Sequence, residues 1–316
     1  MIVTVTLNPA IDQTLVLSKF VAGDTLRVKS SRFDPGGKGI NVSRVIRELG
    51  GESVAMGFAP GGLGRYLEQT LESQGIICDF IRTPGEMRTN ITILDESKHL
   101  NTIISERGPS TPVEAMDELR QRLRRILREG DWLVIAGSIP PPIDASVYGD
   151  LVREAKELGV HAVIDADADA LAAGVAEVPE IVKGNRRELE RLLDQHLDDE
   201  ESTLAAAKEV YARGVPLVLV TRGKHGAIAV SEKTYRGIAP RVRAVSAVGS
   251  GDALLAGVVL TLSRGGTLED ALCLGIACGT AAVLTPGTEL CHRREVDILR
   301  SRIRVEEIDS LVGSGG

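Results

Sequence analysis

The residues best suited to chemistry in this chain are Gly249, Ser250, Gly251 and Asp252, a glycine-rich turn that runs straight into the apolar stretch 253–262. Small residues let a backbone approach a ligand closely. A helix opening at such a turn presents unpaired N–H groups and a partial positive charge, and both receive anions. A carboxylate there would repel a resting phosphate. It suits a group that takes a proton from an attacking hydroxyl while neighbouring amides hold the charge that develops, which is what phosphoryl transfer requires. The competing reading is an ordinary helix cap, because Asp is a favoured N-cap and Gly-Ser-Gly a common loop.

A second stretch, Asp34-Pro35-Gly36-Gly37-Lys38-Gly39-Ile40-Asn41-Val42, sets a lysine among glycines at the entry to a helix. Ile40, Val42, Val45, Ile46 and Leu49 form the apolar face of that helix, and Gly50 is placed to end it. The entry fits an anionic or hydroxyl-rich ligand, with Asn41 able to face it. It is not a Walker A loop, whose Gly-x4-Gly-Lys-Ser/Thr spacing is absent. Further polar residues follow apolar runs: Asp12 after 2–7, Ser138 after 131–136, Asn185 and Glu188 after 180–182, and Thr221 and Gly223 after 217–221. Arg88, which could clamp a phosphate, and Asn90 open a hairpin. Each alone has a plainer reading as a turn or surface residue. Together they fall where strands exit, and ligands gather at the carboxyl edge of an open α/β sheet.

The elements needed to hold these residues are legible. Runs at 2–7, 52–58, 75–80, 131–136, 161–165, 180–182, 217–221 and 227–230 read as strands, with amphipathic helices between them and a helical final third. The pattern predicts an α/β fold with a mainly parallel central sheet flanked by helices on both faces. Segments 13–34, with strands at 14–17 and 25–28, and 87–106 read as two hairpins, a small β-sheet lid or dimerisation flap. Residues 1–312 form one domain in this reading, and 313–316 a disordered tail.

Composition narrows the partners. The chain has 316 residues, 43% hydrophobic and 26% charged, as expected of a soluble globular protein. Only 3% are aromatic and the net charge is −7, which argues against nucleic-acid and anionic-membrane partners. An anionic substrate would therefore need a local positive pocket. Four cysteines without a C-x-x-C pair point to reduced thiols in the cytoplasm and not to zinc or a disulfide framework. No basic leader and no membrane-spanning run is read in the sequence.

Taken together, the motifs resemble the ribokinase-like (PfkB-type) carbohydrate kinases over roughly residues 1–305. The stretches 6–12 and 36–42 are similar to the branch acting on ketohexose phosphates. Gly249-Ser-Gly-Asp252 resembles the family's anion hole and base, Asn185-x-x-Glu188 its N-x-x-E motif, and 221–226 its nucleotide loop. The resemblance implies Asp252 as the base and the amides of Gly249, Ser250 and Gly251 as holders of the transferred group. It implies that Asp12, Gly37, Lys38, Asn41, Arg88, Asn90 and Ser138 contact the sugar phosphate. Lys183 and Asn185 would face the ATP phosphates, Thr221, Gly223 and Gly226 line the nucleotide, and Glu188 orient water on Mg2+. It further implies a homodimer through the lid. Gly184 stands where the family often has proline. The expected reaction is D-fructose 1-phosphate to fructose 1,6-bisphosphate, with tagatose 6-phosphate and fructose 6-phosphate as rival acceptors. Two other classes compete: a silent sugar-phosphate sensor on the same fold, and a dinucleotide-dependent oxidoreductase. The sensor leaves Asp252, Asn185 and Glu188 without purpose. The oxidoreductase lacks the third glycine of its fingerprint.

Overall fold

The computed structural model describes residues 1–98 and 100–308. The expected disordered tail and the end of the expected domain at 312 lie outside the described residues. In chain order, the first half contains β1 (Ile2–Thr6), β2 (Ala10–Leu17), β3 (Ser30–Gly36), α1 (Lys38–Glu48), β4 (Val54–Phe58), α2 (Gly61–Ser73), β5 (Ile77–Ile81), β6 (Arg88–Asp95), β7 (Leu100–Ser105), α3 (Glu114–Ile126), β8 (Trp132–Ala136) and α4 (Val147–Glu157). The second half contains β9 (His161–Asp165), α5 (Ala168–Ala176), β10 (Ile181–Asn185), α6 (Arg186–Leu193), α7 (Glu200–Ala212), β11 (Leu217–Thr221), β12 (Ala227–Val230), β13 (Thr234–Ile238), α8 (Ser250–Ser263), α9 (Leu268–Ala282), α10 (Arg293–Arg300) and β14 (Arg304–Glu307).

The main sheet runs β5-β4-β1-β8-β9-β10-β11-β12-β13-β14. Strands β5 through β11 in that order are parallel, and β12, β13 and β14 add antiparallel. The parallel strands are buried on both faces, so they read as continuous Val/Ile/Leu runs rather than alternating ones. One core layer packs Leu119, Tyr148, Leu171, Leu189 and Val210 of α3 to α7 on the sheet. The opposite layer packs Val45, Leu255, Ile276 and Val296 of α1, α8, α9 and α10. This is the expected α/β sheet with helices on both faces.

The small second sheet has the order β3-β2-β6-β7, with β2 and β6 parallel. Its first hairpin differs from the expectation. Residues 25–28 form no strand, and the partner of β2 is Ser30–Gly36, in the register Ala10 opposite Gly36. The register is pinned at the far end, where Gly36 lies flat on Asp12: a Cβ there would stand 2.4 Å from the Asp12 carboxyl carbon. The connection from 18 to 29 is left as an open loop. Strands β13 and β14 and helices α5 and α6 also went unread. Strand β14, Arg-Val-Glu-Glu, is a charged edge strand and carries almost no apolar signal.

Candidate active site

A cleft of about 630 Å3 opens at the carboxyl ends of β1, β8 and β9, between the main sheet and the small one. Asp12, Gly37, Lys38, Asn41, Arg88, Asn90, Ser138, Glu188, Gly249 and Asp252 all line it. Residues expected after β1, β8 and β10 therefore share one space with the starts of α1 and α8, while Asn185, Thr221 and Gly223 do not line it.

Helix α8 supplies the central carboxylate. Its N-cap is Gly249, at φ 75, a left-handed conformation that glycine adopts without strain. The helix thus begins at Ser250, and Asp252 is its third residue, not its cap. The cap reading of this aspartate is set aside, because its Oδ2 accepts from Asn41 Nδ2 at 2.8 Å and, among the described residues, from no backbone amide. Asp252 is 7% exposed. Burial raises its carboxyl from 3.8 to about 6, with a contribution from the Asp165 charge, against Lys38, Lys183 and the Asn41 bond. A base with that value is ionised at neutral pH yet holds a proton far better than an ordinary aspartate. Among the described residues, no acceptor pairs with the amides of Gly249 and Gly251. The Ser250 amide departs from the expectation: it turns back toward the Ala247 carbonyl at 3.4 Å, and its hydroxyl donates to the same oxygen at 2.9 Å.

The side of the cleft nearer the small sheet carries groups suited to a phosphorylated sugar. Asn90 Nδ2 donates to Asp12 Oδ1 at 2.9 Å, and the Oδ1 atoms of Asn41 and Asn90 are buried without a partner. Such acceptors await donors, which sugar hydroxyls supply. Burial raises the Asp12 carboxyl, opposed by Asn90, Thr288, Arg88 and Arg44. The Arg88 guanidinium is held by carbonyls, Asn8 O at 2.8 Å and Glu106 O at 3.1 Å, and forms no salt bridge among the described residues. Its charge remains available to an anion. Ser138 Oγ accepts from Asn8 Nδ2 at 3.2 Å.

Two lysines are tied to one buried acid. Lys38 lines the cleft and is paired there. Its Nζ donates to Asp165 Oδ1 at 2.6 Å and lies 3.6 Å from Glu188 Oε1, because α1 aims its first side chain at the end of β9. The surrounding acids, led by Asp165, outweigh burial and hold its ammonium charged. Lys183 does not open onto the cleft: its side chain is 4% exposed, and Nζ meets Asp165 at 2.9 Å. Asp165 itself is fully buried. Burial alone would raise its carboxyl, but Lys183 and Lys38 hold it below the ordinary range. Asp165, the last residue of the apolar run 161–165, was given no role by the sequence, because its partner Lys38 is 127 residues away.

The N-x-x-E motif proves to be a capping box. Asn185 Oδ1 accepts from the Glu188 amide at 3.1 Å, and Glu188 Oε2 accepts from the Asn185 amide at 2.8 Å. That leaves Glu188 Oε1 toward the cleft. Asn185 and Thr221 lie side by side at the ends of β10 and β11. Gly223 has open space around it. Gly226 packs against β13, where a Cβ would meet the Gly237 carbonyl at 2.1 Å.

The fold and this cleft define a sugar kinase of the ribokinase-like class, a phosphotransferase with an alcohol acceptor. Residues 5–294 match the description "pfkB family carbohydrate kinase". The chain belongs to that family. It is 33% identical to a 1-phosphofructokinase of Borreliella burgdorferi, over 98% of this chain and 99% of that one. It is 32% identical to a tagatose-6-phosphate kinase of Staphylococcus epidermidis, over 98% and 100%. Phosphofructokinase-2 of Escherichia coli, crystallised with substrates and products, superposes with a TM-score of 0.91 at 28% identity, covering 95% of this chain and 98% of that one.

Proposed function

We propose that the protein transfers the terminal phosphoryl group of ATP to a hydroxyl of a ketohexose phosphate, first D-fructose 1-phosphate, giving fructose 1,6-bisphosphate. The carrying observation is the buried Asp252 at the start of α8, in one cleft with Asp12, Asn90 and Arg88. Asp252 takes the proton of the attacking hydroxyl as the new oxygen–phosphorus bond forms and the bond to ADP breaks. The amides of Gly249 and Gly251 face the charge on the moving group. Asp12, Asn41 and Asn90 orient the sugar, and Arg88 takes the phosphate it already carries. Asn185, Thr221 and Gly223 lie toward the nucleotide.

The described residues contain no cluster of acids, histidines and cysteines able to cage a metal. Magnesium keeps its waters and takes few protein ligands, so the one carboxylate oxygen of Glu188 not bonded to the Asn185 amide is a fitting contact for it. Glu188 Oε1, left over by the capping box, would meet it through water, and the ion would neutralise charge on the nucleotide phosphates. Tagatose 6-phosphate kinase activity is the second reading, carried by the 32% identical relative.

A second copy of the chain would cover the small sheet, where Phe33, Leu100, Ile103 and Ile104 are all more than half exposed. The cytoplasm suits cysteines that are all free. The test is ADP release with a panel of fructose 1-phosphate, tagatose 6-phosphate and fructose 6-phosphate, with sedimentation for the dimer. Measurable sugar-phosphate binding without ADP release from any acceptor would replace the kinase by the sensor.

A further inference from the structure

We infer that Asn8 is a positioning residue for the phosphate of the sugar: from the joint between the two sheets it holds Arg88 of the small sheet and Ser138 of the main sheet so that both donate to one anion. The inference rests on the kinase reading above and deepens it at one subsite.

Asn8 lies in the short link, Leu7 to Pro9, that carries the chain from β1 in the main sheet to β2 in the small one. It is buried and lines the cleft. The proline after it confines its backbone to extended conformations, so the direction of its carbonyl is set locally. That carbonyl accepts from Arg88 Nη2 at 2.8 Å and from Nε at 3.2 Å. The side-chain Nδ2 donates to the Arg107 carbonyl at 3.1 Å and to Ser138 Oγ at 3.2 Å. A carbonyl can only accept, so the Arg107 contact fixes which end of the amide is which. Gly108, at φ +90, lies flat on the other end: a Cβ there would stand 2.4 Å from Asn8 Oδ1. One residue thus joins the exit of β1, the lid strand that bears Arg88, the strap leaving the lid and the loop after β8.

These contacts leave capacity for a phosphate. Arg88 Nη1 donates to Glu106 O at 3.1 Å. A guanidinium has five donors, so after its bonds to Asn8 and Glu106 one N–H remains on each terminal nitrogen. Ser138 accepts from Asn8, which leaves its hydroxyl hydrogen to donate. The acids that act on Arg88 are Asp12 and Glu106, and Glu106 Oε2 is taken by the Thr89 amide at 2.9 Å. Donors carried by two different sheets serve one phosphate only at a fixed separation, since a misplacement of about 1 Å can cost on the order of 10^2 in rate. Glu106 and Arg107 are consecutive, so the Nδ2 bond that holds the strap at Arg107 also holds the Glu106 carbonyl against Arg88. Removing the amide therefore frees Ser138 directly and Arg88 through the strap, while the backbone carbonyl of residue 8 stays.

The test uses Asn8→Ala, Gly108→Ala and the Arg88→Met/Ser138→Ala pair in the full chain, with each sugar phosphate that the unmodified protein turns over. Asn8→Ala is expected to raise KM for the sugar phosphate at least about tenfold, with kcat and KM for ATP within about threefold of the parent. Calorimetric affinity for the sugar phosphate without nucleotide falls in step with KM. Gly108→Ala drives its methyl group into the Asn8 amide and is expected to give the same split. In the Arg88→Met/Ser138→Ala background, Asn8→Ala is expected to change kcat/KM by less than about twofold, because nothing is left for it to position. A merely structural role would lower kcat and raise both KM values together, and its effect would persist in that background. Either result would overturn the inference, as would an unchanged sugar KM in Asn8→Ala or in Arg88→Met/Ser138→Ala. If Asn8→Ala does not fold, Gly108→Ala decides it by the same constants. Absence of ADP release from the unmodified protein with any acceptor would instead remove the kinase reading itself.

Discussion

Replacing Asp252 by asparagine should make the protein more stable and nearly inactive, and both effects follow from one buried charge. The carboxyl titrates near 3.8 when exposed and at about 6 in the fold. Each pH unit of that rise is about 1.4 kcal/mol, so carrying the charge costs the folded state about 3 kcal/mol at neutral pH. The sign is set by which state holds the proton more tightly, and here it is the folded one. Below pH 3.8 both states are protonated and the cost is absent; it grows between 3.8 and about 6 and is complete above that. The Asp252→Asn side chain never ionises. The rise to about 6 is already net of the bond from Asn41, so the net gain at pH 7.5 is about 3 kcal/mol. The gain should vanish at pH 4. Loss of a general base lowers kcat by about 10^2 to 10^4, with sugar-phosphate binding retained. Urea unfolding at the two pH values and ADP release at saturating substrates measure the pair. In the unmodified enzyme the same charge predicts a kcat at pH 5 about one-tenth of its plateau, where an ordinary aspartate would keep about nine-tenths. Unchanged stability at both pH values, together with turnover within about twofold of the parent, would refute the assignment of Asp252 as a strained, functional base.

Three further outcomes are expected. Gly36→Ala places a methyl group 2.4 Å from the Asp12 carboxyl carbon, so KM for the sugar phosphate should rise about tenfold with KM for ATP unchanged, as steady-state titrations will record. Gly57→Ala puts its Cβ 1.9 Å from the Thr6 carbonyl at φ +140, where β4 meets β1, and should lower unfolding free energy by more than about 2 kcal/mol in urea. Glu188→Gln keeps a capping oxygen but not the carboxylate charge, so helix α6 should survive by circular dichroism while the magnesium concentration for half-maximal rate rises several-fold, on the order of 1 kcal/mol in apparent binding.

The parallel core was the most legible part of the chain. Strands β9, β11 and β12 fall where the apolar runs predicted, because a strand buried on both faces must be apolar at every position. The lid was legible only in outline. Its first hairpin is closed by the fit of Gly36 on Asp12, a contact between side chain and backbone that local periodicity cannot carry. In the site, Asp252 and Asn41 stood out because each follows a glycine turn into a helix. Asp165 ends an apolar strand and has only distant partners, so its importance lies in the topology that sets β9 beside β10 and opposite α1.

The N-x-x-E motif shows how one short sequence serves folding and chemistry together. Asn185 and Glu188 cap α6 reciprocally, which fixes the Glu188 side chain in one orientation before any ligand arrives. A capping box uses one carboxylate oxygen and leaves the other, and here the other lies 3.6 Å from Lys38. The same carboxylate therefore ends a strand, starts a helix and adds negative charge to a cleft that already holds Asp165 and Asp252. A chain of net charge −7 can admit two phosphate-bearing molecules there only if its cations are concentrated and fixed. Lys38, Lys183, Arg88 and the start of α8 are those cations and that dipole, each held by a hydrogen bond or by packing.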